Sequence, residues 1–153
     1  MTRQKIKTCL WFDGNAEEAA EFYVSVFKDS GVLGITPGPT GAVLVVEFRL
    51  AGVEFIALNG GPQFRFNEAV SLSVDCRSQE ELDELWEKLS AGGSPGPCGW
   101  LKDRYGLSWQ IVPAVLPQLL AGADRGRAKR VLDALMGMAK LDIRALEAAA
   151  DAT

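Results

Sequence analysis

Cys98, Lys102, Asp103 and Arg104 lie close together in the stretch CGWLKDRYGLSWQIVP, residues 98–113. A cysteine beside cations can have a lowered pKa and act as a nucleophile. An acid next to an arginine looks like a catalytic pair. Neither reading has the base it needs, because the 153 residues include no histidine. Cys98 therefore lacks the usual proton acceptor, and no Ser-His-Asp grouping can form. Cys98 reads as a free structural thiol, and Asp103-Arg104 as turn chemistry running into Gly106. Gly60-Gly61-Pro62 is also a turn, with no following helix N-terminus to cradle a phosphate. Glu47 and Glu54 read as solvated strand residues. Three cysteines (Cys9, Cys76, Cys98) match no CxxC or zinc spacing.

Bulk composition narrows the field further. A hydrophobic content of 48% with 24% charged residues suits an ordinary globular protein of one domain or two small modules. The net charge of −4 supplies no field for nucleic acid or anionic lipid. No apolar run approaches the ~20 residues that span a bilayer. The charged N-terminus has no signal-peptide pattern behind it. A reduced, cytoplasmic protein is expected, with neither a nucleic-acid partner nor a membrane.

The elements that would position these residues recur in order. Residues 6–12 form an apolar strand that stops at Asp13-Gly14. Asn15 is placed to cap a helix, with Glu18 three residues on as capping-box partner. That helix buries Ala19, Phe22, Tyr23, Val26 and Phe27 at i, i+3, i+4 spacing. A weak strand (Val32 to Ile35) and a Pro-Gly loop follow. Two strong strands, 42–50 and 53–58, are joined by Ala51-Gly52 as a hairpin. The order then restarts. Residues 68–75 alternate, with Val70, Leu72 and Val74 opposite Ala69, Ser71 and Ser73. Ser78 heads a helix that buries Leu82, Leu85, Trp86 and Leu89 and ends at Gly92-Gly93. Strands at 99–102 and 107–112 close the unit. Residues 1–113 thus read as strand–helix–strands twice, at about 5–60 and 67–113. A helical extension, 114–153, carries Val131, Leu132, Leu135 and Met136 on one stripe and Asp142 as a cap. It packs on the same domain or on a partner subunit.

Three segments, CLWFDGNAEEAAEFYVSVF, FIALNGGPQFRFNEAVSLSVDC and CGWLKDRYGLSWQIVP, resemble the PhnB-like branch of the vicinal-oxygen-chelate superfamily. Its relatives include glyoxalase I, bleomycin-resistance proteins and extradiol dioxygenases. Members often carry the name 3-demethylubiquinone-9 3-methyltransferase. The resemblance spans roughly residues 6 to 146. It implies an α+β fold of two βαβββ modules whose curled mixed sheets form a cavity. Metal enzymes of the superfamily place ligands on the inner strand faces, and those positions fall on Thr8, Asn59, Ala69 and Gln110. Such a set offers at best neutral oxygens, so a tight divalent site is not expected.

If Gln110 faces the cavity, so does Ser108, and Ala69, Ser71 and Ser73 match them on the neighbouring strand. Leu10 is a further cavity candidate with Thr8 and Asn59. Phe64, Arg65, Phe66, Trp100 and Lys102 are candidates for an aromatic, cationic rim. The expected function is binding of a small molecule without metal or cofactor, as the bleomycin-resistance relatives do. The alternative is an enzyme using polar cavity residues or a weakly held metal. A methyltransferase using S-adenosylmethionine would need a glycine-rich loop after the first strand, where this chain has Asp13-Gly14-Asn15. The superfamily implies a homodimer.

Overall fold

Strand β1 (Thr8–Phe12) leads through Asp13-Gly14-Asn15 into helix α1 (Ala16–Val26), and β2 (Gly31–Pro37), β3 (Val43–Leu50) and β4 (Val53–Asn59) follow. The computed structural model describes residues 3–152. They fall into two units, the first ending at Phe66 and the second beginning at Asn67. The first is a four-stranded sheet in the order β1-β4-β3-β2, parallel between β1 and β4 and antiparallel elsewhere. Ala51 and Gly52 both have positive φ (47° and 83°). That pair gives the primed turn whose twist suits a two-residue hairpin.

One face of this sheet carries α1. Tyr23 of α1 stacks on Phe48, and Phe48 stacks on Phe55, with centroids 6.3 and 5.5 Å apart. Ala16, Ala19, Ala20 and Tyr23 are the buried positions of the helix. Phe22, Val26 and Phe27 are only half-buried. Small residues at three of the four buried positions let the helix approach the aromatic sheet face closely. The expected Asn15 cap does not form. Asn59, at the end of β4, supplies it instead. Its Oδ1 accepts from the Ala16 N–H at 2.9 Å, while its Nδ2 donates to the Val43 carbonyl at 3.0 Å.

The second unit repeats the plan with β5 (Ser71–Cys76), α2 (Gln79–Ser90), β6 (Ser94–Pro95), β7 (Trp100–Lys102) and β8 (Ser108–Pro113), in sheet order β5-β8-β7-β6. Here the cap is the expected one: Ser78 Oγ accepts from the Glu81 N–H at 3.1 Å. Leu82, Leu85 and Leu89 of α2 are buried, as are Leu101, Trp109 and Ile111 of the sheet. Each fully buried side chain of this kind contributes roughly 1.5–3 kcal/mol. The fold is α+β with two open, mixed four-stranded sheets, as the sequence resemblance implies.

Helices α3 (Leu116–Leu120), α4 (Arg125–Met136) and α5 (Ile143–Asp151) complete the second unit. Asp124 and Asp142 cap α4 and α5 through side-chain oxygens at 3.0 Å. The segment between α4 and α5 is fastened to the rest of its unit. Gln79 donates to the Leu141 carbonyl and accepts from the Ile143 N–H. Lys140 pairs with Asp83 at 3.0 Å. The hydrogen bond from Gln79, then that from Lys140, holds the Asp83 carboxyl below its usual range. The expected apolar stripe of α4 is only partly used: Val131 is fully buried, but Leu132 and Met136 are 44% and 67% exposed.

Candidate functional site

Two strand registers decide which side chains of the second unit share a face. Trp100 pairs with Gln110 and Lys102 with Ser108 across β7 and β8. Ser71 pairs with Ser108 and Ser73 with Gln110 across β5 and β8. Pleating sends alternate residues to opposite sides. Leu72, Leu101, Trp109 and Ile111 therefore take the helix side, and Ser71, Ser73, Trp100, Lys102, Ser108 and Gln110 the other. Gln110 Nε2 donates to Ser71 Oγ at 3.0 Å, which ties the two strands together on that side.

A cavity of about 630 Å³ lies on this face. Its walls are Ser108 and residues 100–102 from the sheet, Glu68 before β5, the 94–98 segment and Met136 of α4. Ser108 is 1% exposed, and its Oγ has no hydrogen-bond partner among the described residues. A buried hydroxyl without a partner costs on the order of 1–3 kcal/mol, and this one borders a cavity. Lys102 forms an ion pair with Glu68. The hydrogen bond from Lys102, a backbone hydrogen bond and the ammonium charge all lower the Glu68 pKa. Glu68 thus stays ionised at neutral pH. Apart from Ser94, the rest of the lining is apolar or sulfur-bearing, with Cys98 Sγ 3.5 Å from Met136 Sδ.

The remaining candidates fall elsewhere. Ala69 sits in the turn before β5, exposed, its N–H bonded to Asn67, so it has no strand face. Gln110, Ser71 and Ser73 share the cavity's side of the sheet but do not line it. In the first unit, Thr8 pairs with Phe55 and Leu10 with Ala57. That register turns Thr8, Leu10 and Asn59 to the face covered by α1, and Leu10 is 3% exposed there. Asn59 is a cap. The open face of β1 belongs to Cys9 and Trp11, one residue out of step with the expectation. Phe64 meets Trp11 edge-on at 4.8 Å and Phe66 meets Phe12 at 5.5 Å. These two aromatics pack on their own first strand, and Arg65 is exposed.

Asp103 is a structural acid. It is 2% exposed and accepts from the Tyr105 and Leu107 N–H groups at 2.8 and 3.1 Å and from Trp109 Nε1 at 2.8 Å. The sequence alone does not bring Glu68, Cys98 and Met136 together. Glu68 precedes its strand, and Met136 lies nearly forty residues from Cys98, so no local spacing links them.

Residues 4–112 match the family described as 3-demethylubiquinone-9 3-methyltransferase. The chain belongs to that family. Among solved structures it is similar to a PhnB protein from Bacillus cereus, described as a putative enzyme of that name. Identity is 36% over 72% of this chain and 100% of the other, with a TM-score of 0.66. A Pseudomonas aeruginosa protein shares 20% identity over 70% of this chain and 95% of its own, at a TM-score of 0.58. A mutant of the fosfomycin resistance protein FosX from Listeria monocytogenes, complexed with Mn(II) and a dihydroxypropylphosphonic acid, shares 20% identity. The match covers 79% of this chain and 100% of that one, with a TM-score of 0.58. The last two likenesses show the vicinal-oxygen-chelate fold alone. No curated protein matches the chain.

The FosX structure raises the question of a metal. Among the described residues no three His, Cys, Asp or Glu side chains come together to hold one. The polar residues opposite the helix in the second unit are serines, a glutamine and Lys102, with Glu68 the one carboxylate beside them. Hard and borderline cations need carboxylate, imidazole or thiolate donors in numbers this set lacks. The donor set does not fit a tightly held divalent ion.

Proposed function

We propose that this protein binds a small organic molecule in the cavity of its second unit, without a resident metal. The observation that carries this reading is the unpartnered Ser108 hydroxyl, nearly sealed from solvent, at the edge of a space of ligand size. Ligand pockets run to about 300–1,000 Å³ and combine apolar walls with a few placed polar groups. Ser108 places an unpartnered hydroxyl in the wall, the ion pair of Lys102 with Glu68 puts charge at the edge, and Trp100 adds a flat surface. A planar ligand with an acidic or carbonyl group matches those three features.

The family's descriptive name does not bring methyl transfer with it. Adenosyl cofactors bound at a strand-to-helix turn use a glycine-rich loop and the free N–H groups of the helix start. In this chain the turn is Asp13-Gly14-Asn15, the first helical N–H is taken by Asn59, and the sheet is mixed.

A reducing, cytoplasmic setting is part of the same proposal. It is supported by three free thiols and by the lack, among the described residues, of any helix long and apolar enough to cross a membrane. A homodimer is proposed as well, since edge strand β2 exposes Val32, Leu33 and Ile35. Light scattering at micromolar concentration should give twice the chain mass, and a monomer would refute the dimer.

The binding reading is tested by elemental analysis of purified protein, with thermal shifts in the presence of chelator and of planar aromatic acids. The expected result is less than stoichiometric transition metal, no effect of chelator, and a rise in Tm with an aromatic acid. Stoichiometric metal whose removal lowers Tm would overturn the reading.

A further inference from the structure

The family match stops at residue 112, yet one wall of the cavity comes from beyond it. We infer that Met136 of α4 is a specificity-determining residue of this cavity, seating the face of an aromatic ligand opposite Trp100. This rests on the binding reading above and adds the ligand class and the element that selects it.

The placement of Met136 is built, not incidental. The backbone just after α4 is bonded to the cavity loop, with Cys98 N–H donating to the Met138 carbonyl at 2.7 Å and Gly99 N–H to the Ala139 carbonyl at 2.8 Å. Gly99 has φ of 85°, which favours glycine, and a Cβ there would meet Leu141 at 3.0 Å, so a side chain at this position would strain the junction between the loop and the extension. Gln79 and Asp83 of α2 hold the same segment from the other side. Against this fixed background Met136 is 67% exposed and touches Cys98 through sulfur. A large apolar side chain left uncovered at the lip of a cavity marks a contact surface. Thioether sulfur packs favourably on aromatic rings, with flexibility enough to follow their shape. The sheet supplies the second, independent sign of a ligand in the unpartnered hydroxyl of Ser108.

The exposure of Met136 makes the test clean, because its replacement leaves the core untouched. The full chain is titrated with 2-naphthoate, and binding is followed by fluorescence and by the methyl resonances of 13C-methyl methionine. In the wild type the Met136 methyl signal should shift on binding. Met136→Glu should weaken binding by about tenfold or more, since a carboxylate would have to be desolvated against the ring. Met136→Leu should stay within about threefold as a volume-conserving change. Leu132→Glu adds the same charge one helical turn away, outside the cavity lining, and should weaken binding clearly less than Met136→Glu does. Equal affinity of the wild type and Met136→Glu, with no methyl shift, would overturn the role of Met136 while leaving the cavity reading standing. If 2-naphthoate fails to bind the wild type at all, this inference falls, and if no other planar acid binds, the cavity reading falls with it.

Discussion

Two buried polar side chains, Asp103 in the turn after β7 and Ser108 at the start of β8, make opposite predictions. Asp103 is saturated by three donors, so Asp103→Ala strands the Trp109 N–H and two backbone N–H groups. It should cost about 3 kcal/mol or more of unfolding free energy in urea denaturation, and a loss below about 1 kcal/mol would show the network is not structural. Ser108 has no partner, so Ser108→Ala removes a buried group that the fold does not use. Stability should hold or rise by up to about 1 kcal/mol. If binding is the reason for the hydroxyl, affinity for a planar acid should fall in the same variant. The sequence showed the Asp103 turn and the Ser71/Ser73/Ser108/Gln110 face, because strict alternation of small polar with large apolar residues fixes a strand's register. It did not show the register of β1, where Cys9-Leu10-Trp11-Phe12 contains no polar residue to tell one face from the other. In the structure Thr8 and Leu10 share the face of Phe55 and Ala57, under α1. An unpaired buried hydroxyl has no sequence signature at all.

At the scale of elements, two helix starts of the same apparent type turned out differently. Ser78 caps α2 locally, whereas α1 takes its cap from Asn59, more than forty residues away. Local spacing predicts the first kind and cannot see the second. Asn59→Ala should cost about 1–2 kcal/mol through loss of the cap and of the Val43 bond, while Asn15→Ala should change thermal stability by less than about 0.5 kcal/mol. The segment between α4 and α5 has a pH dependence. The Asp83 carboxyl titrates lower in the fold than when unfolded. Its contribution is therefore complete above the unfolded value of about 3.9 and disappears as pH falls through the lower folded value. Protection factors of the amides of residues 138–143, corrected for intrinsic exchange, should fall on acidification below about pH 4, and Asp83→Asn should show the lower protection already at neutral pH. The core thiol Cys76 behaves in reverse. Burial first, then Glu81 and Asp75, pushes its pKa up to about 12. Its stabilising effect is intact below the unfolded value near 9 and is lost as pH rises from there towards 12.

At the scale of the whole chain, order of elements and family were legible because strand–helix–strand patterning and hairpin turns are local properties repeated twice. The position of the extension was not, since it depends on glycine-tight contacts and side-chain bonds to α2 that no periodicity encodes. That extension turns a family fold into a cavity with a wall of its own. The most direct test is a titration of chelator-treated protein with 2-naphthoate, comparing wild type with Ser108→Ala. Saturable one-to-one binding without metal is expected, weakened about fivefold or more in Ser108→Ala, in keeping with one lost hydrogen bond. Binding that appears only when a divalent metal is restored, or that ignores Ser108, would contradict it.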